Sequence, residues 1–205
     1  MAAPARRQPY PVAARELLRS SLLDAACEEL RQRRWSDVTM AEVALAAGVS
    51  RQTLYKEFGS REEFAQALVL READSLFEAV ERAMRDNHER PAGALEAAFD
   101  VYLTAAAENP LVRSVVSGDG AAELLTLLTI HGKPLLERSS GRLKGLLQAG
   151  WPLMRDEDAE LLSECLVRLA ISYAALPKGP ANMSAASVAT LLGPYVESLS
   201  QPART

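Results

Sequence analysis

The chain has 205 residues, of which 48% are hydrophobic and 24% are charged, so it can bury the core of one or two globular domains. Its formal net charge of −4 argues against a strongly basic nucleic-acid-binding protein as a whole. No apolar run approaches the roughly 18 residues of a membrane span, and the N-terminal residues lack the apolar stretch of a secretory signal, so we expect a cytoplasmic protein without a membrane partner.

The charge is divided unevenly along the chain. Residues 1–61 contain 10 Lys+Arg and 7 Asp+Glu, a net charge of +3, whereas residues 62–205 contain 13 and 20, a net charge of −7. The N-terminal part is therefore weakly suited to nucleic acid, and the two parts are expected to have different partners.

Apolar residues recur at helical spacing along almost the whole chain without an alternating strand pattern, so the sequence predicts an all-α protein. A leader over residues 1–14 contains three prolines and is expected to be disordered. The first helix is predicted from about Arg15 to Arg34, with leucines and alanines on its inner face. Trp35 is expected to close that core.

The segment TMAEVALAAGVSRQTLYKEF predicts two short helices joined by a tight turn. Thr39 stands at an N-cap position with Glu42 three residues later, which is the pattern of a capping box. Gly48 is expected to end the first helix, and Ser50 is expected to cap the second. Two short helices at this separation are typical of a helix-turn-helix.

The second of these helices has one apolar side and one polar side. At about 100° per residue, Leu54 and Phe58 fall on the same side. The opposite side carries polar residues, namely Gln52 and Lys56, flanked by Arg51, Thr53 and Tyr55. Most charged helix faces are simply solvated, but within this capping and turn pattern the polar face predicts contact with a partner.

A long helix is predicted from about Ser60 to Asn87, followed by a helical bundle. Turn signals interrupt the bundle at residues 91–93, 109–110, 117–120, 132–134, 150–152 and 177–180. The last two helices, predicted over residues 156–176 and 184–199, are rich in leucine, so they either wrap the core or form a dimer face. Pro194 is expected to kink the last helix.

These residues carry a resemblance to a known family. From about Leu17 to Phe64, and most closely over TMAEVALAAGVSRQTLYKEFGSREE, the chain resembles TetR/AcrR-type transcriptional regulators. The segment from Gly150 to Leu176 is similar to the region that enters the dimerisation helix of that family. The resemblance implies an N-terminal three-helix helix-turn-helix DNA-binding domain over residues 15–60, joined to a C-terminal helical ligand-binding and dimerisation bundle over residues 61–205.

The resemblance also implies a function. Such proteins are homodimers that pair through their last two helices and bind palindromic double-stranded operator DNA. They release the operator when a small molecule enters the C-terminal domain. The chain is therefore expected to be a DNA-binding transcriptional regulator and, more specifically, a repressor, with activation as the alternative within the same class.

The DNA-contacting residues that the resemblance implies lie on the second helix of the motif, which enters the major groove, and at the starts of the motif's helices: Thr39, Ser50, Arg51, Gln52, Thr53, Tyr55, Lys56 and Arg61. Arg51 would favour guanine and Gln52 adenine. The Tyr55 hydroxyl would contact phosphate, and the helix starts at Thr39 and Arg61 would clamp the DNA backbone.

Glu57 departs from the family pattern, because many relatives carry a neutral or basic residue at this position. Its charge would repel phosphate, so we interpret it as one half of an internal pair with Lys56 or Arg61. The alternative is that Glu57 accepts a hydrogen bond from a cytosine amino group.

The bundle is expected to bind a small, mainly apolar effector, a class that includes long-chain molecules. Helical bundles can enclose apolar cavities that need only a few polar anchors. The candidate ligand residues are apolar side chains and polar anchors from the middle and late helices: Phe99, Tyr102, Leu103, Leu128, His131, Leu147 and Tyr173, with Asn109 as a further anchor.

An enzyme is not expected. The two histidines are not in a metal-ligand spacing, and the chain has no nucleophile elbow or phosphate-binding glycine loop, so neither a metal nor a cofactor is predicted. The alternative from another class is a helical small-molecule sensor or carrier that acts through protein partners without binding DNA.

Overall fold

The structure is a computed structural model that describes residues 10–116, 122–176 and 184–200. Over these ranges the chain is helical and contains no strand, which confirms the all-α prediction. A short 3-10 turn over Trp35–Asp37 connects the first two helices. The helices are α1 (Tyr10–Gln32), α2 (Met40–Ala46), α3 (Arg51–Phe58), α4 (Arg61–Asp86), α5 (Pro91–Glu108), α6 (Pro110–Val116), α7 (Ala122–Leu128), α8 (Lys133–Gly150), α9 (Asp156–Ala175) and α10 (Ala185–Ser200).

The chain divides into two compact units, residues 1–68 and 69–205, with the boundary inside α4. The N-terminal unit contains α1 to α3 and the first turns of α4, and the C-terminal unit contains the rest. The domain boundaries predicted after residues 14 and 60 stay predictions. Within the described ranges, no helix is both long enough and apolar enough to cross a membrane.

α1 begins at Tyr10, five residues before the predicted start. Pro11 lies in the first turn of this helix, where proline is tolerated because the first N–H groups of a helix have no intrahelical partner. The sequence prediction therefore places the helix start too late. The earlier part of the predicted leader lies outside the described residues.

The core of the N-terminal unit contains Trp35, whose side chain is 1% exposed. Its ring stacks on Phe64 with the two ring centroids 6.5 Å apart, and Phe58 meets Phe64 edge-on at 4.7 Å. Leu22 of α1 and Leu54 of α3 are also fully buried. The prediction that Trp35 closes this core is confirmed.

The C-terminal unit contains two closely packed helix pairs, α5 with α10 and α8 with α9. α5 and α10 approach each other closely at Gly193, where a Cβ atom would lie 2.9 Å from the Cβ of Ala92. Near the same end of α5, the indole N–H of Trp151 donates to the carbonyl of His88 at 3.1 Å, which ties the end of α8 to the turn after α4. Pro194 lies inside α10, and the predicted kink stays a prediction.

The predicted turns in the bundle coincide with helix boundaries, with one correction. Asn109 separates α5 from α6, and Gly132 precedes α8. Pro91 instead begins α5, because proline at the first helical position gives up no hydrogen bond. The predicted turns at residues 117–120 and 177–180 lie outside the described residues.

Candidate functional site

The start of α2 is fixed by a reciprocal cap. The Thr39 hydroxyl accepts from the N–H of Glu42 at 3.3 Å, and the N–H of Thr39 donates to the Glu42 carboxylate at 2.9 Å. These two hydrogen bonds are the predicted capping box. Arg33 also donates to Glu42 at 2.9 Å, and this bond, followed by those from Thr39, lowers the pKa of Glu42 to about 2. The first turn of α2 is thereby anchored to the residue that follows α1.

The turn between α2 and α3 requires a glycine. Gly48 has a φ of 71°, in the left-handed region that glycine adopts without steric cost. The N–H of Val49 donates back to the carbonyl of Ala44 at 2.9 Å. Ser50 then caps α3 by accepting from the N–H of Thr53 at 3.1 Å. The predicted helix-turn-helix is therefore present in its local detail.

α3 presents a polar face. Leu54 and Phe58 are buried beneath the helix, as their spacing predicts. The other side is formed by predicted contact residues, of which Arg51, Gln52 and Lys56 are exposed, whereas Thr53 and Tyr55 are half-buried. The Arg51 guanidinium lies 5.2 Å from the centroid of the Tyr55 ring, which restricts both side chains. The contacts of this face with DNA stay predictions.

Two arginines of α1 hold the C-terminal end of α3. Arg19 donates to the carbonyl of Glu57 at 2.6 Å, and its guanidinium lies 4.0 Å from the centroid of the Phe58 ring. Arg15 donates to the carboxylate of Glu57 at 2.6 Å. Cations also interact favourably with the negative end of a helix dipole. Glu57 thus has an internal ion pair, but its partner is Arg15 instead of the predicted Lys56 or Arg61.

Arg61 is engaged inside the N-terminal unit. Its guanidinium donates to the carbonyls of Val38 at 2.6 Å and Trp35 at 2.8 Å, and it lies 4.3 Å from the Trp35 ring. The predicted phosphate contact at the start of α4 stays a prediction, and main-chain N–H groups there can supply it. The side chain supports the core instead.

The C-terminal unit contains a cavity of about 150 Å³. Its wall includes residues from Val69 to Met84 on α4 and from Pro91 to Asn109 along and just beyond α5. At 1.5 Å per residue these stretches are about 22 Å and 27 Å long. The lining of this cavity therefore extends along most of the length of both stretches.

Three polar residues on the cavity wall are paired with each other or with the main chain, namely Glu72, Tyr102 and Asn109. The Tyr102 hydroxyl donates to the carbonyl of Ala170 at 2.6 Å, and burial raises the pKa of Tyr102. The side-chain amide of Asn109 donates to Glu72 at 2.7 Å, while its oxygen accepts from the N–H of Leu111 at 2.9 Å. The cavity therefore offers a ligand mainly apolar surface.

Five of the predicted ligand residues line this cavity: Phe99, Tyr102, Leu128, Leu147 and the further anchor Asn109. Three do not: Leu103, His131 and Tyr173. Leu103 follows Tyr102 by one position and so points about 100° away around the helix. His131 is exposed in the turn before α8, and the hydroxyl of Tyr173 is buried without a hydrogen-bond partner. Glu72 also lines the cavity and was not predicted to do so, because a glutamate on a long charged helix normally faces water.

Two protein families match segments of the chain. The family described as bacterial regulatory proteins, tetR family, matches residues 22–68. The family described as the C-terminal domain of the bacterial tetracyclin repressor matches residues 91–194. The helix-turn-helix lies within the first match, and much of the cavity wall lies within the second.

Characterised relatives are similar over long stretches. The chain is 40% identical over 195 residues to the HTH-type transcriptional regulator AlkX of Mycobacterium tuberculosis, which covers 95% of this chain and 92% of that protein. It is 39% identical over 89 residues to the HTH-type transcriptional activator FasR of Mycolicibacterium smegmatis, covering 42% and 41%. The crystal structure of the TetR family repressor AlkX from a Dietzia strain, implicated in biodegradation of n-alkanes, gives a TM-score of 0.80 at 31% identity and covers 89% of this chain and 97% of that one.

Proposed function

The chain belongs to the TetR family of DNA-binding transcriptional regulators, and from this premise we propose that it is a homodimeric repressor released from a palindromic operator by an elongated, mainly apolar effector. The observation that carries the proposal is the combination of an exposed polar face on α3 with a long apolar cavity in the C-terminal unit. Family membership agrees with the expectation that the chain is not an enzyme. It also favours DNA binding over the carrier alternative.

The exposed face of α3 has side chains suited to both base readout and phosphate contact. Arg51 can pair with the two acceptors of guanine and Gln52 with the donor and acceptor of adenine, each contributing about 1–3 kcal/mol of discrimination. Lys56 is an exposed point charge, and the Tyr55 hydroxyl can donate to phosphate. In a two-fold dimer the two α3 helices would meet successive major grooves about 34–36 Å apart, so the operator should be an inverted repeat.

Selection of bound sequences from a random DNA pool tests the operator. Gln52→Ala should relax the preference at one base pair in each half-site. Lys56→Ala should weaken binding to every sequence and reduce the log–log salt slope by roughly 0.9 per subunit. Lys133→Ala removes an exposed lysine from the C-terminal unit and should leave that slope unchanged. Equal losses on selected and random DNA for both α3 variants would contradict the assignment of base readout to Gln52.

We assign the dimer interface to α9 and α10. Both helices leave large apolar side chains exposed, including Leu161 at 59%, Leu191 at 70% and Tyr195 at 45%. Exposed large apolar side chains can form an association surface, and in a two-fold dimer the same surface meets its own copy. In analytical ultracentrifugation, Leu191→Ser should shift the protein toward the 22.2 kDa monomer, whereas Leu45→Ser, at an exposed leucine of the N-terminal unit, should not.

The effector class follows from the shape and chemistry of the cavity. The wall is long and most of its polar side chains already have partners, so a linear hydrocarbon chain fits better than a compact polar molecule. The similar Dietzia repressor is implicated in n-alkane biodegradation, which supports the same class. Ligand sites usually occupy roughly 300–1,000 Å³, so a chain entering a cavity of about 150 Å³ has to widen it. A ligand that prefers the widened conformation weakens operator binding by linkage.

Fluorescence anisotropy of labelled operator DNA tests the effector class. Dodecane is expected to release the operator, and the compact hydrocarbon adamantane is not. Ala98→Leu should fill the cavity and block this release, because Ala98 is buried on the wall. Ala107→Leu places the same side chain at an exposed position on α5 and should respond like the wild type. Release by adamantane but not by dodecane would refute the elongated effector.

A further inference from the structure

A network of charged side chains joins α4 to α8. Arg138 donates to both carboxylate oxygens of Asp74 at 2.6–3.1 Å, and Arg142 donates to the same carboxylate at 2.9 Å. A nitrogen of Arg142 also lies 3.6 Å from the carboxylate of Glu81. Although burial opposes the charge of Asp74, the hydrogen bonds from the two arginines lower its pKa. Two residues one turn apart on α8 therefore hold one aspartate of α4.

This network reaches the cavity through one aromatic ring. Phe77 follows Asp74 by three positions on α4 and lines the cavity. The guanidinium of Arg142 lies 4.3 Å from the centroid of the Phe77 ring. A cation at this distance from an aromatic face is attracted to it. Displacement of Phe77 by a ligand would therefore also disturb Arg142 and its bond to Asp74.

We propose that Asp74, Phe77, Arg138 and Arg142 form a latch that holds α4 in its operator-binding position, and that the effector opens the latch by moving Phe77. The inference rests on the operator binding and release proposed above. The cavity has to widen to admit a long chain, so the effector binds less well to the conformation in which Phe77 keeps its present position on the wall. α4 runs without a break from Arg61 in the N-terminal unit to Asp86, so a restraint on its later turns acts on a helix shared by both units.

The geometry distinguishes this network from an ordinary surface ion pair. Isolated pairs between exposed side chains contribute little, since water screens them and ordering the side chains costs entropy. Here Arg138 binds the carboxylate through two nitrogens, and Asp74 and Arg142 are only 26% and 32% exposed. Charge-assisted bonds of this kind, shared by two arginines, are the stronger class.

Operator affinity measured without any effector tests the latch. Because the latch joins an aspartate of α4 to two arginines of α8, substitutions on its two sides change the net charge in opposite directions. Loss of a positive charge by itself weakens DNA binding, and loss of a negative charge strengthens it. The latch predicts that Arg142→Met and Asp74→Asn both weaken operator binding, by roughly tenfold. Asp74→Asn is decisive, since its general charge effect has the opposite sign.

Two matched controls report the charge effect alone. Glu78→Gln removes an exposed acid from α4, and Arg113→Met removes an exposed arginine from α6. Neither residue belongs to the latch, so each should change operator affinity only slightly and in the direction of its charge. In the latch variants, but not in these controls, the factor by which dodecane lowers operator affinity should shrink toward one.

Thermal unfolding followed by tryptophan fluorescence establishes that each variant is folded. Phe77→Leu provides a second test that keeps all three charges of the latch while removing the ring beneath Arg142, and it should also weaken effector-free operator binding. Folded Asp74→Asn or Phe77→Leu protein that binds the operator as tightly as wild type would overturn the latch. If dodecane does not change the operator affinity of the wild type, the proposed effector class is wrong. The operator affinities of the variants measured without effector still decide whether the latch exists.

Discussion

Replacement of Arg19 by methionine should weaken the contact between α1 and the C-terminal end of α3 and so lower the stability of the N-terminal unit. Arg19 donates to the carbonyl of Glu57 at 2.6 Å and covers the ring of Phe58 at 4.0 Å. Methionine keeps an unbranched apolar chain against that ring but has neither the charge nor the donor. The substitution therefore isolates the polar part of the contact between α1 and α3.

The expected cost can be worked out from these two contacts. A hydrogen bond from a charged donor contributes about 1.5–3 kcal/mol, and a half-buried position reduces this to about 1–2 kcal/mol. The cation–π contact adds about 0.5–1 kcal/mol, and the sulfur–aromatic contact of methionine recovers a few tenths. The net loss is about 2 kcal/mol. For a unit of this size it corresponds to a fall in Tm of roughly 8–16 °C.

The two tryptophans allow each unit to be followed separately, because Trp35 belongs to the N-terminal unit and Trp151 to the C-terminal unit. In a Trp151→Phe background, thermal unfolding monitored by Trp35 fluorescence should show the lowered Tm. Arg31→Met on the same helix is the matched control, since Arg31 is exposed and makes only a 3.5 Å pair with Glu28. Equal Tm values for the Arg19 and Arg31 variants would refute the assigned role of Arg19.

Three further outcomes can be measured with the same two reporters. Gly48→Ala should destabilise the N-terminal unit by about 1 kcal/mol, because a φ of 71° strains any residue with a Cβ although no atom lies within 4 Å of the added Cβ. Gly141→Ala, within α8 where the added Cβ also meets no atom, should stabilise the C-terminal unit by roughly 0.5–1 kcal/mol. Stability changes of the same sign in the two variants would contradict this reasoning. Thr39→Ala should cost about 1 kcal/mol in urea unfolding through loss of the cap. The pKa of Glu42 is lowered from 4.5 to about 2 in the folded protein, so the stability that it contributes is complete above pH 4.5 and is lost as the pH falls toward 2. Glu42→Gln should therefore reduce the pH dependence of the unfolding midpoint, followed by Trp35 fluorescence, across that range. An unchanged pH dependence in this variant would exclude Glu42 as its source.

The sequence by itself determined the local architecture of the helix-turn-helix. The cap between Thr39 and Glu42, the left-handed turn at Gly48 and the cap at Ser50 all join groups within a few positions of each other. The side of α3 that is buried follows from the helical period of Leu54 and Phe58. Interactions of such short range leave a readable spacing in the chain, so these predictions need no knowledge of the rest of the fold.

Only the tertiary structure decided how distant residues combine. Glu57 pairs with Arg15, 42 positions away, and Asp74 pairs with Arg138, 64 positions away. No spacing rule connects such residues, since their partners are chosen by the packing of whole helices. The same reason explains why Leu147 lines the cavity and Leu103 does not. In an apolar bundle many leucines are equivalent in sequence, and the rotation of each helix against its neighbours determines which of them face the cavity.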